Sequence, residues 1–445
     1  MKRILVLGAG RSSASLIKYL LDNGRMCDWR VTVGDVSIDN ALQKIGSSDA
    51  GRAIRFDIND TDTSKDIIAA HDIVISLLPP NYHPLVALRC LESGKHFLTA
   101  SYVSDELKAF DAEAQRKGLV FLNECGLDPG IDHMSAMKVI DGIRERGGVI
   151  TSFESFTGGL IAPETDPENP WRYKFTWNPR NVVTAGQGTA RYSHKGRNKY
   201  ISYPQLFRRI TAVHVPGYGN YEGYANRDSL KYIETYGLDG VDTMLRGTLR
   251  NEGFCSAWNI FVQLGCCDDS YRIESVSDMT HATFIDSFLP PLPDCETVLE
   301  KVCAHFSLRP GSDEIRKLTW SGFFDETPVG LTQGTPASIL EHILNKKWYL
   351  RKEDKDQIVM WHRLKFNVGH EAGEIQASLV ATGFDDIYTA MAKTVGLPLG
   401  IATKLIASGS VRQRGVIIPI TPEFYTPILS ELAALGITLA EKRIR

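Results

Sequence analysis

Residues 5–20 read LVLGAGRSSASLIKYL, and the fold turns on how the glycines divide this stretch. Gly8, Gly10 and Ser13 occupy the positions of G-x-G-x-x-G/A, directly between an apolar strand-like run and a helical pattern. Glycine permits the tight turn and close backbone approach, and the following helix offers unpaired N–H groups to a pyrophosphate. Arg11, Ser12 and Ser13 fall on that turn. The two serines are not a hydrolase elbow, because the G-x-S-x-G frame is absent. Alone, the motif is equally a plain strand-to-helix turn, so its neighbours decide the reading.

Working outward, six β-rich runs alternate with helical stretches over the first 125 residues: RILVLG, WRVTVGD, AIRFDI, DIVISLL, HFLTAS and LVFLNEC. That alternation predicts an α/β fold built on a Rossmann doubly wound parallel sheet. The second run ends in Asp35, where an acid accepts the ribose hydroxyls and repels a 2′-phosphate. NAD is therefore expected, with NADP kept open by Arg11, Arg25 and Arg30. Asp57 ends the third run, suited to an adenine edge or to a surface cap.

The stretch ECGLDPGIDHM, residues 124–134, puts acids, a thiol, glycines and a histidine behind the apolar run LVFL. In an open parallel sheet the ligand-facing loops lie beyond the carboxyl ends of the strands. LLPP, TASY and ECGLDPG hold those places, which adds Leu77, Leu78, Thr99, Ala100, Leu127, Asp128 and Pro129 to the cofactor-binding candidates. Asp128 and Pro129 suit an N-cap and first-turn position of the helix that follows.

Further along, short strands and Gly/Pro-rich loops give way to amphipathic helices, then to a hairpin across GHEAG with a loop of about five residues, then to helices again. The segments expected are a Rossmann domain over 1–127, a mixed α/β substrate and dimerisation domain over 128–277, a helical domain over 278–353, a return hairpin over 354–384, and a C-terminal helical return over 385–445 packing on the Rossmann domain.

The chain has 445 residues, 43% hydrophobic and 23% charged, with a net charge of −3. No basic field draws it to nucleic acid or a membrane, so a small-molecule substrate is expected, held by local arginines. Its eight cysteines lack metal-ligand spacing and read as reduced thiols of a cytoplasmic protein. No metal site, no signal peptide and no 18-residue apolar span is expected.

Taken together, ECGLDPGIDHM, TASY, GGLIAPETDPENPWRYKFTWNP, GYANRDSLKY, LRGTLRNEGF and AMAKTVGLP resemble the L-glutamate-forming saccharopine dehydrogenase (saccharopine reductase) family across nearly the whole chain. The pattern is most like the dehydrogenase half of animal aminoadipic semialdehyde synthase, without a lysine–ketoglutarate reductase half. Fungal members use NADP and carry a basic residue after the second strand. Asp35 departs from that pattern, which supports NAD and weighs against a biosynthetic role.

The resemblance implies hydride transfer between saccharopine and a nicotinamide cofactor, then imine hydrolysis to glutamate and 2-aminoadipate 6-semialdehyde, in a homodimer. It carries substrate binding onto Ser101, Tyr102, Asp128, Arg227, Thr248, Leu249 and Arg250, with Lys174 as a further carboxylate candidate. Arginine suits carboxylates because its fork is planar and bidentate. Asp128, Tyr102 and Cys125 are the candidates for proton handling; His133 reads as a satisfied core histidine. Two other readings are a carboxynorspermidine dehydrogenase-type enzyme and a non-catalytic NAD-binding protein. A surplus of arginines favours saccharopine, with its three carboxylates.

Overall fold

The computed structural model describes residues 1–444. The chain forms two compact units, one from Met1–Val149 with Leu379–Glu441 and the other from Ile150–Ser378 with the residues after Glu441.

The first unit is built on strands β1 (Lys2–Leu7), β2 (Trp29–Asp35), β3 (Gly51–Arg55), β4 (Ile73–Ser76), β5 (His96–Thr99), β6 (Val120–Leu122) and β15 (Gly415–Ile417). They lie in the order β15-β6-β5-β4-β1-β2-β3, and every pairing is parallel. Helices cover both faces, which is why β4, Ile-Val-Ile-Ser, is buried at each residue. Strand order reverses between β1 and β4, and a ligand crevice belongs at their carboxyl ends. The seventh strand went unforeseen: three residues inside a helical stretch carry no period of their own.

The unit ends at Val149, whereas the sequence had placed a boundary at 127/128. Helix Ile131–Arg144 stays with the first unit because it packs on helix Pro422–Ala434, where Tyr425 Oη donates to Asp141 Oδ2 at 2.8 Å. The expected absence of an apolar 18-residue stretch also needs correction. Helix Ala390–Ala407 has mean hydropathy 1.2, but 72% of it is buried, packed against helix Ala14–Asn23.

The other sheet is mixed and consists of β7 (Gly148–Ile161), β8 (Ala190–His194), β9 (Arg197–Ile201), β10 (Ile210–Val215), β11 (Gly219–Ala225), β12 (Thr243–Asn251), β13 (Asp356–Val368), β14 (Glu371–Thr382) and β16 (Leu439–Arg443). Its path runs β10-β11-β12-β7-β13-β14-β16, and β8 pairs with both β12 and β9. The β13–β14 turn is only Gly369 and His370, not five residues, because Gly369 adopts φ +58° and closes the hairpin tightly. Strand β16 lies in the stretch expected to be a helical return. Helices between His281 and Trp348 do not separate as their own body: Trp348 packs on Trp171 at 5.2 Å and on Trp258 at 5.9 Å between ring centroids.

Candidate active site

In the first unit the glycine turn follows directly from β1. Gly8 has φ +100°, and a Cβ there would come within 2.9 Å of the Leu77 carbonyl, so only glycine fits. A Cβ at Gly10 would meet nothing within 4 Å, so open space lies over the turn where a diphosphate would rest. Ser13 is spent locally, its hydroxyl donating to the Gly10 carbonyl at 2.8 Å, while Arg11 is exposed and Ser12 half-buried. Asp35 reaches back from the end of β2: Oδ2 accepts from Ala9 N at 2.8 Å and Oδ1 from Ser37 N at 2.9 Å. These residues fit a nicotinamide dinucleotide. Asp57, by contrast, turns one oxygen onto Asn59, at 2.9 Å from its backbone nitrogen, as a surface cap does.

The loops after β4, β5 and β6 hold the next candidates. Leu77 and Leu78 are half-buried, as are Ala100, Ser101, Tyr102 and Asp128; Thr99, Leu127 and Pro129 are buried. Tyr102 Oη donates to Asp128 Oδ1 at 3.3 Å. Asp128 is not the N-cap expected of it. The helix starts at Ile131 after Gly130. Gly130 has φ +147°, where a Cβ would collide with the Gly126 backbone, and Asp132 Oδ1 accepts from Gly130 N at 2.6 Å instead. Asp132 takes over the helix start, which leaves the Asp128 carboxylate beside Tyr102. Cys125 is corrected too. It is fully buried, and burial pushes its thiol well above the ordinary range, so it does not handle protons at neutral pH.

Two histidines hold these loops: His133, the satisfied core histidine expected from the sequence, and His83, which the sequence did not single out. His133 Nε2 lies 2.8 Å from Glu124 Oε2, and Glu124 Oε1 accepts from Val103 N at 3.1 Å. His83 bridges Ser76 and Ser101 at 2.9 and 2.7 Å.

In the second unit Arg246, Thr248 and Arg250 follow one another at period two along β12, on one face. Arg250 is 5% exposed, its guanidinium 5.0 Å from the Tyr173 ring and 5.3 Å from that of Phe254. Its Nη1 donates to the Leu249 carbonyl at 2.9 Å, while Nε and the Tyr173 hydroxyl have no hydrogen-bond partner among the described residues. Glu222 stands opposite in register but caps the next helix, accepting from Gly253 N and Cys255 N at 2.8 and 2.9 Å. Among the described residues Arg250 therefore has no carboxylate. Burial works against its charge, and the neighbouring Tyr224, Tyr173 and Cys255 groups, which would favour the cation only as anions, are themselves kept protonated at neutral pH by burial.

Two family models match the chain: the saccharopine dehydrogenase NADP binding domain over residues 4–122 and the saccharopine dehydrogenase C-terminal domain over residues 126–437. The chain belongs to the saccharopine dehydrogenase family. It is 32% identical to the NADP(+), L-glutamate-forming saccharopine dehydrogenase of Schizosaccharomyces pombe, covering 100% of this chain and 99% of that one. It is 33% identical to mouse mitochondrial alpha-aminoadipic semialdehyde synthase over 98% of its own length, but spans only 47%, about half, of that relative. The structure of apo saccharopine dehydrogenase (L-Glu forming) from Saccharomyces cerevisiae superposes with a TM-score of 0.90 over the full length of both chains, at 29% identity.

Within a saccharopine dehydrogenase framework the remaining candidates divide. Arg227 is exposed, at φ +37°, and the neighbouring Asp228 pairs with Arg191 at 2.6 Å. Thr248 is half-buried and Leu249 is wholly core. Lys174 is not a substrate ligand. It is fully buried between Asp354 at 2.6 Å and Asp166 at 3.0 Å, so its charge is already matched. Arg246, buried on the same face of β12, and Tyr173, beside Arg250, were not among the candidates, although the alternation in TMLRGTLRN carried the signal for Arg246.

Proposed function

We propose that this chain oxidises saccharopine, the secondary amine that joins lysine to glutamate, and releases glutamate and 2-aminoadipate 6-semialdehyde. The observation that carries the reading is Arg250. A buried guanidinium without a counter-charge is costly, and a ligand carboxylate, with the Tyr173 hydroxyl beside it, completes the set.

The chemistry sets the remaining roles. The secondary ammonium must lose a proton before its neighbouring carbon can lose hydride. The C–H electron pair leaves as hydride, and the nitrogen lone pair closes a C=N bond. Water then adds to that carbon, and the C–N bond breaks with protonation of the glutamate nitrogen. Saccharopine, oxidised dinucleotide and water thus become glutamate, semialdehyde, reduced dinucleotide and one proton. When bound, the dinucleotide supplies the hydride acceptor. Asp128, held by Tyr102, takes the ammonium proton and returns one to the departing amine.

NAD is the preferred cofactor in this reading, although the family's first domain and the fungal relatives are named for NADP. The support is Asp35 at the ribose position. Arg25 and Arg30 are held at Asp49. Arg30 also sits five residues from Asp35 along β2, ~17 Å away at strand spacing.

The test is saccharopine-dependent growth of reduced-nicotinamide absorbance with NAD and NADP in parallel. Turnover with NAD as the better cofactor supports both parts; turnover with NADP alone removes the cofactor assignment. No turnover with either, in protein that binds the reduced dinucleotide, overturns the function.

A further inference from the structure

His83 opens helix His83–Ser93, directly after the loop that leaves β4. It is 2% exposed and lies over the paired ends of two strands, where Ser76 of β4 stands in register with Thr99 of β5. Its Nδ1 is 2.9 Å from Ser76 Oγ. Its Nε2 is 2.7 Å from Ser101 Oγ and 3.3 Å from Thr99 Oγ1, and Thr99 Oγ1 in turn accepts from Ser101 N at 3.2 Å. The Phe97 ring closes one side, edge-on at 6.4 Å. Burial lowers its pKa, to about 4, so the ring is neutral at physiological pH.

We propose that His83 is a positioning residue that fixes the Ser101 hydroxyl in one orientation, as a donor towards the ligand. A neutral imidazole has one N–H and one lone pair, so it gives a hydrogen to one serine and takes one from the other. Ser76 Oγ–H donates to Nδ1, and Nε2–H donates to Ser101 Oγ. The Ser101 proton is then left for an acceptor outside the protein. This direction of donation rests on the function proposed above, because a substrate with three carboxylates is rich in acceptors. The same contact ties the segment carrying Tyr102 to the end of β4, so that Ser101 and Tyr102 enter the site from a fixed base.

The test has an arm that reads turnover and an arm that does not. His83→Asn keeps a polar group near Nδ1 and removes the reach to Ser101. It should lower kcat/KM for saccharopine by roughly 10–100-fold, with binding of the reduced dinucleotide unchanged. His83→Gln, whose amide extends towards Ser101, should recover part of that loss. Ser101→Ala combined with His83→Asn should lose no more than the worse single variant, because both act through one hydroxyl. Losses that multiply, or wild-type turnover in His83→Asn, overturn the proposal.

In the second arm, nitrogen NMR of the wild-type imidazole should show a neutral Nε2–H ring across the range in which exposed histidines titrate. Its Nε2 resonance should move in Ser101→Ala. An Nδ1–H tautomer, or a resonance indifferent to Ser101, sinks the proposal whatever the activity. The expected NMR result in an enzyme that ignores saccharopine would remove the proposed substrate and leave the positioning role standing.

Discussion

His133 Nε2 and Glu124 Oε2 meet at 2.8 Å where solvent reaches almost nothing, with the histidine fully buried and Glu124 5% exposed. The other Glu124 oxygen holds Val103 N, and Asp132, next to His133, holds the turn at Gly130. One buried pair thus fixes both loops that carry Tyr102 and Asp128. Replacing His133 by Leu leaves a carboxylate buried without this partner and should cost about 3–5 kcal/mol of stability. Glu124→Gln keeps a hydrogen-bonding group and should cost less than half as much. Equal unfolding midpoints for the two variants would show that the pair does not hold the loops.

Arg250 should behave in the opposite sense. Its guanidinium is buried without a carboxylate, so Arg250→Met is expected to raise the stability of the ligand-free protein, by about 1–2 kcal/mol. The same change should abolish saccharopine use, and Arg250→Lys should lower kcat/KM by about 100-fold, because the buried ligand charge loses its fork. Denaturant unfolding and steady-state kinetics on the same preparations separate the two effects. A destabilised Arg250→Met would mean that the site is complete without a ligand.

The sequence carried the first unit well, since a parallel sheet buried on both faces writes itself as continuous apolar runs, and the glycine turn marks which strand ends face the ligand. What it did not carry depends on contacts between distant residues. Lys174 is removed from the site by Asp354, 180 positions away. Asp128 is displaced as a cap by Asp132, which no periodicity distinguishes from its neighbour. His83 sits beside an ordinary LPP loop and gains a role only when β4 and β5 bring Ser76 and Thr99 together.

Cofactor choice tests the Asp35 geometry directly. Asp35→Ala with Val36→Arg removes the carboxylate and supplies a cation at a position that is 66% exposed. The ratio of kcat/KM for NADP over NAD should rise at least ~10-fold, equivalent to about 1.4 kcal/mol. The cost is the bond from Ala9 N, so a modest fall in unfolding midpoint should accompany the switch. An unchanged ratio would show that Asp35 does not meet the ribose.

Acid should weaken the fold through its buried histidines. Burial holds His83 at about 4, and His96 likewise at about 4, while an unfolded histidine titrates near its ordinary 6.5. Between those values the unfolded chain binds more protons than the folded one, so stability rises with pH. The contribution is fully present above 6.5 and is lost as pH falls towards 4. His83 alone should account for a few kcal/mol at the acid end. His83→Gln, which cannot titrate, should flatten the dependence of unfolding free energy on pH in that window and leave the slope above it unchanged. A slope identical to wild type between 4 and 6.5 would show that His83 is protonated in the folded protein, and would count against the neutral ring that orients Ser101.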